Sequence, residues 1–224
     1  MVPKIIHCCW LSGEKKPRLA RKCRASWEKF ASDWEIKEWT FDDLGSLGLV
    51  PEFVKGAIDA KKWAFASDWV RFAAVEKFGG VYLDYDVELI KPIDDLVAVG
   101  GFFALSRDED KWVDPGLGFA AEKGDAVIGE IVRKYESMSF DSACHLSQTC
   151  PEVVNPLVKG RVRLLPAAVF NPMGSCAGKL KISGETRAIH HYAASWFNWK
   201  QQLAYKILPR LGIDVGKVLR WFRG

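Results

Sequence analysis

Apolar and polar positions alternate in short runs over the first half of the chain, and longer helical runs separate them. Lys4 to Trp10 is apolar and β-branched at its start and predicts a first strand, which the turn residues of "LSGEKKP" end. A helix is predicted from about Arg18 to Phe30. Trp34 to Thr40 alternates as a second strand, and "TFDDL" reads as a helix start with Thr40 as its N-cap. Strand, helix, strand, helix is the signature of a parallel sheet covered by helices. Pro51 to Ala60 and Lys61 to Phe78 read as helical, and Gly79-Gly80 stops the second of these as a C-terminal glycine does. Further strands are predicted at Val81 to Leu83, Val87 to Ile90, Phe102 to Ser106 and Leu117 to Ala121, with a helix from about Asp125 to Tyr135. Proline and glycine punctuate Ser137 to Gly184. Arg187 to Tyr192 predicts one more short strand before tail helices.

Composition narrows this to one globular α/β domain, because 224 residues with 49% hydrophobic side chains and no compositional break favour one core. No stretch approaches the ~18 consecutive apolar residues of a membrane span. The start "MVPKIIHCCW" lacks the basic-then-apolar build of a secretory signal, so a cytoplasmic location is expected. Six scattered cysteines, with Cys8 and Cys9 adjacent and no CxxC pair, suit a reducing compartment and a role as small buried hydrophobes. A formal charge of +4 is too small to argue for nucleic acid. The charge is concentrated at the C-terminus. There Lys200, Lys206, Arg210, Lys217, Arg220 and Arg223 face one acid, Asp214, and alternate with apolar residues from Trp199 to Phe222. Residues 197–224 therefore predict a basic amphipathic helical tail, either packed on the domain or lying peripherally on an anionic membrane surface.

The candidate chemistry starts at "GGVYLDYDVEL", Gly79 to Leu89. Read as one strand, it puts Tyr82, Asp84, Asp86 and Glu88 on one face and Val81, Leu83, Tyr85, Val87 and Leu89 on the other. The two aspartate α-carbons would lie ~6.6 Å apart. Their carboxylates could then lean onto one hard cation whose oxygen ligands sit ~2.0–2.6 Å away. A divalent ion would relieve the repulsion between them. An isolated DxD is more often the wet face of an edge strand, but the preceding helix adds to this one. In "WAFASDWVRFAAV" the only charged residues are Asp68 and Arg71, three apart on one face of a helix that is apolar nearly all round. Charges held there are costly unless they pair or bind something. A third piece is "AIHHYAASW", where an imidazole could complete a carboxylate-rich site for Mn²⁺ or a related ion. The spacing leaves His190 and His191 both open.

With those residues assembled, "VPKIIHCCWLSG", "ASDWVRFAAVEKFGGVYLDYD" and "IHHYAASW" resemble the three blocks of the DXD-containing sugar transferases of glycosyltransferase family 32. That family includes bacterial capsule and lipopolysaccharide enzymes and yeast mannosyltransferases, with the glucosylating clostridial toxins as distant relatives. The resemblance spans Val2 to Trp196. It implies a GT-A domain over residues 1–196, a Rossmann-like mixed sheet flanked by helices. It also implies retaining, metal-dependent transfer of a hexose from a nucleotide diphosphate sugar, a UDP-sugar being the better guess, to a glycan or lipid-linked acceptor in surface polysaccharide synthesis. Carried over by position, His7 and Trp10 would be at the donor, with Trp10 stacked on the base. Asp68 and Arg71 would hold the donor sugar and diphosphate, Tyr82 would line the pocket, and Ser195 and Trp196 would close over the diphosphate. Asp84 would contact the ribose or sugar and share the metal, Mn²⁺ or Mg²⁺, and Asp86 would be its principal ligand with His190 or His191. The segment "WVDPGLGFAAEKGD" departs from the family pattern, which leaves open whether Asp114 or Gly116 faces the acceptor.

Two other readings compete. "YLDYDVE" superficially matches the DxD of haloacid-dehalogenase-type phosphatases, although that motif normally ends a first strand and Glu88 stands where it carries Thr or Val. The other is a non-catalytic domain that binds nucleotide sugar or glycan and transfers nothing.

Overall fold

The structure is a computed structural model that describes residues 1–143, 145–174 and 179–193. Its elements in chain order are β1 (Ile5–Cys9), α1 (Arg18–Phe30), β2 (Glu35–Trp39), α2 (Leu44–Leu47), α3 (Glu52–Asp59), α4 (Trp63–Phe78), β3 (Gly80–Tyr82), β4 (Val87–Leu89), α5 (Asp94–Ala98), β5 (Phe102–Arg107), β6 (Trp112–Val113), β7 (Phe119–Ala121), α6 (Ala126–Glu136), α7 (Cys150–Val158), β8 (Leu164–Leu165), α8 (Ala167–Phe170) and β9 (Ala188–His190). The main sheet runs β2-β1-β3-β7-β5-β6, with β8 also paired to β5. β1 is parallel to both β2 and β3, whereas β7 is antiparallel to β3 and β5 to β7, so the sheet is mixed. β4 and β9 form a separate two-stranded ribbon.

Period-two alternation sends successive side chains of each strand into different cores. Tyr82, Phe103 and Phe119 join α3, α4, α6 and α7 on one face. Val81, Leu83, Phe102, Ala104 and Ala120 meet Trp27 of α1 and Phe170 of α8 on the other. Helix α1 turns Ala20, Cys23 and Trp27 inward, and the Trp27 indole donates to the Val87 carbonyl at 2.8 Å, tying the helix to the ribbon. Helix α4 is enclosed along most of its length, from Phe65 to Val75. Each large apolar side chain buried there contributes roughly 1.5–3 kcal/mol, and together they fix the helix that carries Asp68 and Arg71.

The double glycine does more than stop this helix. Gly79 caps it at φ +68°, and a Cβ there would collide with Pro3 and the Lys123 backbone. Gly80, at φ +115°, already belongs to β3 and passes too close to the Ile5 carbonyl for any side chain. The chain thus leaves a buried helix and enters the centre of the sheet without a loop.

Several sequence expectations change. "GGVYLDYDVEL" is not one strand: β3 ends at Tyr82, and the Val87 N–H donates to the Asp84 carbonyl at 3.0 Å, so the two aspartates sit on a turn between β3 and β4. Ser137 to Gly184 contains α7, β8 and α8, elements that its prolines concealed. Thr40 does cap its helical turn, in a capping box with Asp43. The expected tail helices, and Ser195 and Trp196, lie outside the described residues. Among the described residues no helix is long and apolar enough to cross a membrane.

Candidate metal and donor site

Three elements converge where β3 leaves the sheet. From α4, Arg71 reaches Asp68 at 3.0 Å one turn away and Asp84 at 3.5 Å. Its Nη2 also donates to the Ser67 hydroxyl at 3.0 Å, and the guanidinium lies 4.8 Å from the centre of the Tyr82 ring. The Tyr82 hydroxyl donates to Asp84 Oδ1 at 2.7 Å. Ser67 precedes Arg71 by four residues, so helical spacing alone could have found it.

The ribbon supplies the third element. In the β4–β9 register Val87 stands opposite His190, and the His191 N–H donates to the Asp86 carbonyl at 2.9 Å. This brings His190 Nε2 to 3.0 Å from Asp86 Oδ1, while Asp86 Oδ2 accepts from the Ala193 N–H at 2.8 Å. His191 points elsewhere and pairs with Glu88 at 2.8 Å, beside Lys22. Glu88, expected on the acidic face, is thereby drawn out of the site. Of the two histidines left open by spacing, the geometry selects His190.

Ligand atoms of Asp84, Asp86 and His190 all lie within 4.8 Å of one another. Two carboxylates and an imidazole are a donor set that suits Mn²⁺ or Mg²⁺, and three ligands leave coordination positions of a six-coordinate ion unfilled. The electrostatics agree. Burial opposes ionisation of Asp86, yet the charge and hydrogen bond of His190 and the Ala193 N–H outweigh it and pull the carboxyl down to about 2. Burial likewise opposes protonation of His190, but Asp86 outweighs it and holds the imidazole at about 9. A divalent cation binding between the carboxylates would take over the positive charge of the imidazolium and release its Nε2 proton, leaving the neutral imidazole as the ligand. The site fits the cation in charge and in donor type. His190 Nδ1 is buried and has no hydrogen-bond partner among the described residues.

Asp68 behaves differently. Burial raises it to about 7 despite the adjacent Arg71. Arg71 stays charged, because Asp84, Tyr82 and Asp68 overcome the cost of its burial.

The remaining expected residues fall in two groups. Trp10 is half-buried at the end of β1, its ring edge-on to Tyr85 at 5.4 Å, and Tyr85 sits between the two aspartates in sequence. It thus flanks the turn that carries the carboxylates. His7 does not face the site. It is fully buried, its Nε2 donates to the Gly79 carbonyl at 2.8 Å, and its Nδ1 accepts from the Trp39 indole at 3.1 Å. With both nitrogens engaged inside the protein, His7 braces β1 against the end of α4 and has no free atom for a donor. Asp114 and Gly116 border Asp84: the Asp84 N–H donates to the Gly116 carbonyl at 3.2 Å, and the Gly116 N–H donates to Asp114 Oδ1 at 3.1 Å.

Residues 1–114 of the 224, which include β1, α4 and both aspartates, match the capsular polysaccharide synthesis protein family. The chain belongs to this family. Within the wider set of similar proteins, one from Acanthamoeba polyphaga mimivirus, described as an uncharacterized glycosyltransferase, is 30% identical over 111 residues, 48% of this chain and 44% of that relative. The matched part is thus less than half of the relative's length. Two solved structures share the fold of this capsular polysaccharide synthesis family member. One is the PaToxG glycosyltransferase, with a TM-score of 0.56 and 16% identity over 70% of this chain and 68% of that one. The other is a glycosyltransferase involved in the glycosylation of the major capsid of PBCV-1, with a TM-score of 0.53 and 15% identity over 92% of this chain and 100% of that one. Together with the mixed sheet flanked by helices, these likenesses identify a GT-A fold.

Proposed function

We propose that the protein is a retaining, metal-dependent glycosyltransferase that moves a hexose from a nucleotide diphosphate sugar, a UDP-sugar, to a glycan or glycolipid acceptor in surface polysaccharide synthesis. The observation that carries this reading is the meeting of Asp68, Arg71, Tyr82, Asp84, Asp86 and His190 around one point at the end of β3. Family membership and the GT-A fold support it.

In this reading Asp84, Asp86 and His190 hold Mn²⁺ or Mg²⁺. When bound, that ion would offset the negative charge that develops on the diphosphate as the glycosidic bond breaks. Arg71 adds a fixed positive charge that cannot be lost by deprotonation. Its orientation comes from Ser67, Asp68 and the Tyr82 ring, so little reordering is needed when donor binds. Asp68, held near neutrality, accepts or donates a hydrogen bond to a sugar hydroxyl. Trp10 stacks on the base, and Ser195 and Trp196 close over the diphosphate. Retention follows from attack on the face the nucleotide leaves, with a departing phosphate oxygen taking the acceptor hydroxyl's proton. The tail, residues 197–224, keeps this cytoplasmic protein at an anionic membrane surface.

The test is a screen of nucleotide sugars for Mn²⁺-dependent hydrolysis, since a transferase without acceptor slowly gives its sugar to water. Turnover of a UDP-hexose that stops with EDTA supports the reading. Phosphate release from a phosphomonoester, or tight metal-dependent UDP binding with no turnover across a wide acceptor panel, would replace it with one of its two rivals.

A further inference from the structure

Asp84 is held from three sides. Tyr82 and Arg71 engage Oδ1. Oδ2 faces the α-carbon of Gly116, and a Cβ built there would come within 3.0 Å of that oxygen, closer than real Cβ contacts. Gly116 is not glycine for its backbone, because its φ lies outside the left-handed region that Gly79, Gly80 and Gly118 occupy. Its missing side chain is therefore a requirement of space, and the space belongs to a carboxylate oxygen.

The turn that carries Gly116 cannot easily retreat. The Gly116 N–H is held by Asp114 Oδ1 at 3.1 Å, and the Leu117 N–H donates to the Asp114 carbonyl at 3.0 Å. Leu117 is fully buried, and Gly118, at φ +147°, leaves so little space that a Cβ there would meet Leu83 and the Phe170 ring at 3.0 Å. The Gly116 carbonyl accepts the Asp84 N–H, so the same residue fixes the aspartate's backbone and clears its side chain.

We infer that Gly116 is a positioning residue for the cation site: its carbonyl and its bare α-carbon together aim Asp84 Oδ2 at the point shared with Asp86 and His190. The inference rests on the functional reading above. An alanine methyl would push the Asp84 carboxylate aside by a substantial fraction of an ångström while leaving the packed turn in place. Displacing a ligand by such distances, like removing the partners that orient it, typically costs 10- to 100-fold in metal affinity.

The experiment measures Mn²⁺ affinity by titration, and thermal stability in EDTA, for wild type and Gly116→Ala. The expected result is an affinity about 10- to 100-fold weaker for the variant, with the unfolding midpoint in EDTA unchanged. Wild-type affinity in Gly116→Ala overturns the inference. So does a loss of EDTA stability that accompanies the loss of affinity, or failure to fold, since either marks a structural glycine. Absence of Mn²⁺ binding by wild type itself sinks the functional reading, an outcome distinct from these.

Discussion

Replacing His7 with glutamine should flatten the acid limb of the stability curve. His7, on β1, is enclosed by β2 and the end of α4, its ring near Trp39 at 6.0 Å and Phe78 at 6.2 Å. Burial, aided by the nearby Lys37 and opposed by the bond to Gly79, lowers its pKa from 6.5 to about 4. The native state therefore stays neutral where the unfolded chain takes up a proton. Stability from this residue is fully present above about pH 6.5 and is lost as pH falls toward 4. At about 1.4 kcal/mol per pKa unit, linkage gives a loss of about 2 kcal/mol between pH 7.5 and pH 5, and about 3 kcal/mol by pH 4. For a chain of this size 2 kcal/mol corresponds to about 4–8 °C in Tm. Glutamine keeps one donor and one acceptor but cannot titrate. Urea unfolding of wild type and His7→Gln at the two upper pH values should show the wild type losing about 2 kcal/mol more than the variant. Equal losses would refute the assignment of His7 as a buried, neutral brace.

Two other changes probe the site and the tail. Arg71→Ala leaves Asp68 and Asp84 without the guanidinium that both contact, so it should cost about 3–5 kcal/mol in unfolding free energy and abolish donor turnover; an active variant with unchanged stability would remove Arg71 from the site. Deleting residues 199–224 should reduce co-sedimentation with anionic vesicles, and undiminished binding would rule out an interfacial anchor.

How much of this could be read from the sequence depended on range. The helix Arg18–Phe30 was legible to both ends, because an amphipathic period with Ala20, Cys23 and Trp27 inward is a local signal. The pairing of Asp68 with Arg71 was equally local, set by helical spacing. The turn at Asp84 to Val87 was not, because a run of Val, Tyr and Leu reads as unbroken strand whether or not the chain bends between its aspartates. The choice of His190 over His191 needed the register of β4 on β9, a contact about a hundred residues apart that spacing cannot supply. The withdrawal of His7 into the core had no local signal either, since its partners Trp39 and Gly79 lie far along the chain. Helix α7 was hidden by Pro151 and Pro156, which a sequence reading treats as breaks although the first stands in the helix's opening turn, where no backbone donor is lost.

The most direct test of the central claim, that Asp84, Asp86 and His190 grip a divalent cation which in turn holds the donor's diphosphate, is a Mn²⁺ titration with and without UDP on wild type and Asp86→Asn. The account predicts one Mn²⁺ per wild-type chain, bound more tightly when UDP is present, and neither the ion nor its coupling to UDP in the variant. Asp86→Asn that binds Mn²⁺ and UDP as wild type does would contradict it.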